Sequence, residues 1–268
     1  MRFITTVIFA FIYALSWSAE PYRRCANNPI SSAMGSIVLC SPHYENPAVS
    51  TTAERRTVNL SYHNEYCEGK LGEWNTSLLL PTHWATHITR FSHFGFEDYR
   101  LFALGYGLGK RISEHWCLGT YLRYQSLYFT GCERETASIF NDTGIFYEKG
   151  NKYQIGVLFR NLASARLTQC EEATTNESRS IVVSSAIKFL DNARWLVEGE
   201  ENDQKAWELR NGFEFIYERM TLRCGFRMLP IVPSLGCGFD LKWFRFDVSS
   251  FYHNQLGYSL AVGLSSNF

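Results

Sequence analysis

Apolar and polar residues alternate with a period of two along the last third of the chain. Trp207, Leu209, Phe213, Phe215 and Tyr217 fall on one face, and Glu208, Arg210, Gly212, Glu214 and Glu218 on the other. Leu222, Cys224, Phe226 and Met228 then oppose Thr221, Arg223, Gly225 and Arg227, and Phe244, Phe246 and Val248 oppose Arg245, Asp247 and Ser249. The closing segment sets Tyr258, Leu260, Val262, Leu264 and Phe268 against Ser259, Ala261, Gly263 and Ser265. A strand in a soluble sandwich needs about 5–6 residues, whereas one that crosses a bilayer at a tilt needs about 9–11. These runs have the longer length, with one face for lipid and one for a polar interior.

The same reading over the rest of the chain predicts strands near 57–66, 73–80, 85–94, 98–109, 115–129, 137–148, 152–162, 180–190, 194–201, 206–218, 220–229, 233–241, 243–253 and 257–268. The implied fold is all-β, a closed antiparallel transmembrane β-barrel of about 14 strands, an even number as in single-chain bacterial barrels. Tight links at Lys149-Gly150-Asn151, Leu190-Asp191-Asn192-Ala193 and Arg219 alternate with longer ones near 130–136, 163–179 and 201–205. Short periplasmic turns and long external loops then place both termini on the periplasmic side. Pro81 cannot donate to a ladder and marks a turn.

The first residues, MRFITTVIFAFIYALSWSAEP, carry Arg2, an apolar run from Phe3 to Leu15 and small residues at Ser16, Ser18 and Ala19. They read as a secretory signal peptide over 1–19, with the mature chain starting near Ala19 or Glu20. Residues 20–56 have little periodicity, and Pro21, Pro29, Pro42 and Pro47 interrupt them. A lumen of this size is wider than its own side chains fill, so this segment is expected to fold into it as a hatch, a disordered tail being the alternative. The barrel proper spans 57–268.

Aromatics make up 16% of the chain, which suits two interfacial girdles. The net charge of zero gives no footprint for nucleic acid. All 8 cysteines lie in the exported part, where disulfides form. No C-x-x-C pair is present; Cys132 and Cys170 fall in predicted loops and can pair, while Cys224 and Cys237 lie on the apolar face.

Several residues carry a resemblance. Ala33-Met34-Gly35-Ser36, then Asn46-Pro47-Ala48 and the strand Val58-Asn59-Leu60-Ser61-Tyr62, resemble the N-terminal region of FadL-like outer-membrane barrels, in particular their PorV/PorQ branch associated with type IX secretion. Leu158-Phe159-Arg160-Asn161-Leu162 looks like that branch's mid-barrel strand ending in Asn. Arg210-Asn211-Gly212-Phe213-Glu214-Phe215 with Leu222-Arg223-Cys224-Gly225-Phe226-Arg227, then Gly236-Cys237-Gly238-Phe239 and Phe246-Asp247, are similar to its later strands. The resemblance implies about fourteen strands around a luminal hatch, with Asn46, Pro47 and Ala48 in that hatch. PorV-type proteins are longer, mostly in their external loops.

Enzymatic and metal chemistry find little support. His83 and His87 have H-x-x-x-H spacing, but in a turn and strand rather than on a helix. Ser61, His63 and Glu65 share a strand face, yet alternate residues stand about 6–7 Å apart, beyond hydrogen-bond reach. The expectation is no catalytic residue, no metal and no cofactor. The better candidates are inward charges: Arg210, Arg223, Arg227 and Arg245 with Glu208, Glu214, Glu218 and Asp247, either binding a ligand or bracing neighbouring strands. Gly105, Gly107 and Gly109 face inward and leave room for the hatch or a ligand.

The expected function is an outer-membrane barrel, in a Gram-negative cell, that binds or passes a small or hydrophobic ligand through a plugged lumen. The alternative is a PorV/PorQ-like accessory barrel of a type IX secretion or surface-attachment system, acting through a secreted-protein partner; a barrel-embedded lipid hydrolase is a third reading. Membrane lipid and the outer-membrane assembly machinery are the general partners, with Phe268 as the terminal assembly signal.

Overall fold

A computed structural model describes residues 28–40, 45–132, 134–150, 152–168, 170, 177–202, 207–228 and 230–268. Among them, fourteen strands form one closed barrel: β1 (Thr57–Asn64), β2 (Gly72–Pro81), β3 (Thr86–Phe96), β4 (Tyr99–Arg111), β5 (Trp116–Phe129), β6 (Thr136–Lys149), β7 (Tyr153–Thr168), β8 (Ser180–Leu190), β9 (Ala193–Asn202), β10 (Trp207–Tyr217), β11 (Met220–Arg227), β12 (Val232–Asp240), β13 (Arg245–His253) and β14 (Gly257–Asn267). Each strand pairs antiparallel with its sequence neighbours, and β1 closes on β14 from Thr57↔Asn267 to Asn64↔Leu260. Closure leaves no free edge along the wall, which is the condition for a sheet to cross lipid.

Alternation decides which face is which. Leu60, Leu104, Leu122, Val183, Leu222, Leu260 and Leu264 point outward and are exposed, while Asn59, Ser61, Ala103, Tyr121, Ser184 and Ala261 on the same strands point inward and are buried. In water such an apolar exterior would aggregate; against hydrocarbon it is the stable arrangement. Aromatic pairs on the outer surface sit near strand ends, Tyr62 with Trp74 at 4.7 Å at one rim and Trp116 with Tyr147 at 4.9 Å at the other. They lie where the girdles of a membrane barrel belong.

Two sequence expectations need correction. β7 does not stop near 162 but continues to Thr168, so the residues read as the start of a long loop form a strand paired only with β6 beyond Asn161. The cause is a break in register between Asn141 and Thr143 at Asn161, whose φ of +50° bends the strand. Asp142 Oδ1 accepts the Asn161 amide at 2.8 Å and holds the bend. The rhythm of short and long connections also fails once, because β3 and β4 are joined at the long-loop end by 97–98 alone. Pro81 pairs with Thr86 as the last residue of β2, directly before the turn at 82–85.

Cys132 and Cys170 form a disulfide that ties the β5–β6 connection to the outer end of β7. Among the described residues, Cys67 and Cys224 are free and exposed, Cys237 is half-buried and Cys117 is buried. The signal-peptide residues and Cys25 lie outside the described residues.

Candidate functional site

The lumen is occupied by the chain's own N-terminal segment. Asn28 caps a short helix, α1 (Pro29–Ser32), by accepting the Ser31 amide at 2.9 Å, and Pro29 takes the first helical position, where no amide is needed. The helix ends at Ser32, and the turn that follows it passes through Gly35, whose φ of +71° favours glycine, while Ser31 Oγ donates to the Ile37 carbonyl at 2.7 Å. Single 3-10 turns follow at Val38–Cys40 and Val49–Thr52. Met34, Ile37, Leu39, Ala48 and Val49 pack against Cys117, Phe146, Ala186 and Leu196 of the wall, so the principal apolar core lies inside the barrel, between hatch and wall.

Inward glycines let the hatch come this close. A Cβ on Gly225 would meet the Gly35 nitrogen and Met34 Cα at 2.6 Å, and one on Gly119 would meet the Ala48 nitrogen at 2.5 Å. These are backbone atoms of the hatch, which cannot rotate away. Gly144 faces Asn46, and Gly109 faces Ser50 and Pro47. Asn46 Nδ2 donates to the Val157 carbonyl at 3.3 Å and its Oδ1 accepts the Ala48 amide at 3.0 Å, so Asn46, Pro47 and Ala48 lie in the hatch against β5, β6 and β7.

Two ionic belts flank this seat. Toward the rim where β9 and β10 are joined, Arg210 Nη1 donates to Glu198 at 2.7 Å and Nη2 to Glu200 at 2.6 Å, while Nε and Nη2 reach the two oxygens of Glu208 at 3.2 and 3.1 Å. Glu208 also faces Arg227 Nε at 3.5 Å, which lets Arg210 and Arg227 stand opposite each other in the ladder. This belt holds the hatch directly: Glu198 Oε2 accepts the Val38 amide at 2.8 Å, and Arg160 joins Glu200 to Glu45 of the hatch. Toward the opposite rim, Glu214 accepts from Arg194 and Arg223, both at 2.7 Å. Arg223 Nη1 donates to Asp247 at 2.7 Å, and Arg245 binds Asp247 and Asp240. Gly238 leaves the space in which Arg223, Arg245 and Asp247 meet.

Arg210, Glu214, Arg223, Arg227, Arg245 and Asp247 therefore all face the lumen. Glu218 does not; it sits exposed in the β10–β11 turn with φ of +51°, because the strand ends at Tyr217 and alternation stops there. Glu198, Glu200 and Arg160 were not singled out from sequence, although β9 sets Leu196, Glu198 and Glu200 on one face. Phe268 is exposed and its amide donates to the Arg56 carbonyl at 3.0 Å. His83 and His87 do not converge: His83 lies in a turn, and His87 Nδ1 meets Tyr106 Oη at 2.6 Å on the outer surface. No cluster with a metal-ligand composition occurs among the described residues.

Ser61 and His63 are buried on β1, but Ser61 Oγ and both His63 ring nitrogens have no hydrogen-bond partner, so no nucleophile–base pair is formed. Glu65, in the connection after β1, has its carboxyl pushed up to about 8 by burial and by Glu73, with Arg227 acting the other way and His63 Nδ1 at 4.0 Å. The folded state thus holds a proton that the unfolded chain releases above 4.5. This contribution to stability is present below 4.5 and lost as the pH rises through about 8. Melting measured across that window is expected to weaken toward alkaline pH in the native chain and to flatten in Glu65→Gln.

The geometry defines a membrane-spanning barrel plugged by its own N-terminal segment. No family profile and no curated protein matches the sequence. Solved structures do match in fold. The toluene transporter TbuX of Ralstonia pickettii aligns with a TM-score of 0.67 at 11% identity, over 90% of this chain and 98% of that one. A FadL homologue of Pseudomonas aeruginosa gives 0.65 at 10%, over 93% and 100%. The toluene transporter TodX of P. putida gives 0.61 at 12%, over 90% and 98%. The fold is thus that of the FadL-like barrels.

Proposed function

We propose that the chain is an outer-membrane barrel that passes a small or hydrophobic molecule around its luminal hatch. The observation that carries this reading is the hatch itself. It is a segment of the chain's own N-terminal region seated in the lumen on wall glycines and joined to the wall by side-chain hydrogen bonds and an ion pair rather than by strand pairing. The shared fold adds support, because TbuX and TodX are toluene transporters. Export by an N-terminal signal and insertion through Phe268 complete the reading. In a porin-poor Gram-negative host, expression of the chain is expected to raise the rate of toluene uptake over the empty-vector rate; equal rates would overturn it.

An accessory role through protein partners, including the PorV/PorQ-like one, has one feature in its favour. Beyond Asn161, where β7 pairs with β6 alone, it carries Leu162 and Leu167 exposed, and the Cys132–Cys170 disulfide ties down its end. The carrier reading is preferred because that role makes no use of a luminal hatch. A hydrolase reading is disfavoured by the unpartnered Ser61 and His63.

A further inference from the structure

The luminal guanidiniums of both belts are occupied by carboxylates, and Arg123 binds Glu177 through Nη1 at 3.1 Å and through Nη2. Arg90 is the exception. It stands inward on β3, between Ser77 of β2 and Gly105 of β4 in the ladder, with Arg123 next in the same row on β5. Its Nε and Nη2 are buried and have no hydrogen-bond partner. Those two atoms form one edge of the guanidinium fork, the edge that takes both oxygens of a carboxylate at once. Burial of an unmatched cation is costly, so a buried, unpaired fork edge is a position that a counter-charge completes.

The surroundings hold that edge in place and narrow the ligand. The Arg90 guanidinium lies 4.8 Å from the Tyr121 ring centre, which covers one face by cation–π attraction. Gly105, between Arg90 and Arg123, has no side chain, and Tyr121 Oη fills the space where one would stand. One row further out along the ladder are Asn75, Ser92, Ala103 and Gln125. Gln125 is buried and its amide oxygen has no partner, so its amide is open to a hydrogen-bonding ligand in either orientation. This polar row is narrow: buried Leu79 and Ile88 stand on one side of Arg90, and Phe94, Leu101 and Leu127 lie beyond Gln125, so a ligand held at Arg90 meets a short polar patch between two apolar ones.

We infer that the β3–β5 wall carries a subsite for the carboxylate of a compact organic acid, with Arg90 as the charged receptor and Tyr121 as the ring that fixes its plane. The inference rests on reading the lumen as a ligand path, and it selects small, anionic molecules among those the path would admit. Arg90 is a binding residue, not a catalytic one.

The test uses the full chain in detergent, with binding followed by calorimetry. The probes are benzoate, its neutral isostere benzamide, and decanoate. Benzoate is expected to bind, benzamide at least about tenfold more weakly, and Arg90→Gln to weaken benzoate by about ten- to a hundredfold, the range for a lost charge-assisted pair. Arg90→Lys, which keeps the charge without the fork, is expected to recover only part. Heat-dependent gel mobility confirms that each variant is still a barrel. Benzoate binding that is absent, equal in Arg90→Gln, or matched by benzamide would overturn the inference. Decanoate binding more than about tenfold tighter than benzoate would overturn the compact-acid class in favour of a fatty acid. Failure of the path reading shows separately, as toluene uptake equal to the empty vector while Arg90-dependent binding persists.

Discussion

Replacing Arg210 by alanine is expected to destabilise the barrel by about 3–5 kcal/mol, the usual cost of stranding buried charges. Arg210 is 1% exposed, and Glu198 and Glu200, which it bridges, are both 0% exposed. Removing the cation leaves two carboxylates in the wall, of which Glu200 keeps Arg160 and Ser180, while Glu198 keeps the neutral donors Ser184 and the Val38 amide. The measurement is reversible urea unfolding in lipid, Arg210→Ala against the native chain. A combined Arg210→Met, Glu198→Gln, Glu200→Gln variant is expected to recover most of the loss, because it removes the charges as well as their partner. If Arg210→Ala unfolded at the native midpoint, the belt around Arg210 would have no structural weight.

The second large effect concerns the seat of the hatch. Gly225→Ala places a methyl group 2.6 Å from the Gly35 nitrogen and Met34 Cα, where neither backbone can rotate aside. β11 is tied on both edges to β10 and β12, so the hatch is the part that moves. The barrel is expected to remain folded, at a cost of about 1–3 kcal/mol, with small-solute permeation in proteoliposomes several-fold above native. Gly199→Ala is the control, since a Cβ there meets only Leu209 Cδ2 at 3.6 Å. Native permeation in Gly225→Ala would show that the plug adjusts without opening the lumen.

How far the sequence discloses this arrangement depends on which forces are local. Lipid and lumen impose opposite demands on neighbouring residues, so the alternation at Trp207–Tyr217 or Tyr258–Leu264 is written directly into the chain and yields the strands and their inward face. The ion pairs are not local. Glu198 faces Arg210 and Arg194 faces Glu214 only because of the register between β9 and β10, which the alternation within each strand does not state. The extension of β7 was hidden by Asn161, a single residue in a left-handed conformation that alternation treats as a strand end. Gly119 and Gly144 look like ordinary strand glycines until Pro47 and Asn46 are seen against them. The empty fork of Arg90 is the least legible feature, since it consists of a partner that did not arrive.

The belts that brace the wall also guard the fidelity of barrel assembly. A slip of β10 against β9 by two residues keeps every side chain on its proper face, so hydrophobicity alone does not reject it. Charge does. In one direction Glu208 would move opposite Glu198 and Arg210 opposite Leu196; in the other, Gly212 would take the place facing Glu198 and Glu214 would face Leu196. Either misalignment separates Arg210 from Glu198 and Arg194 from Glu214, so the ionic rows act as tumblers of a lock that turns only when the strands are correctly threaded.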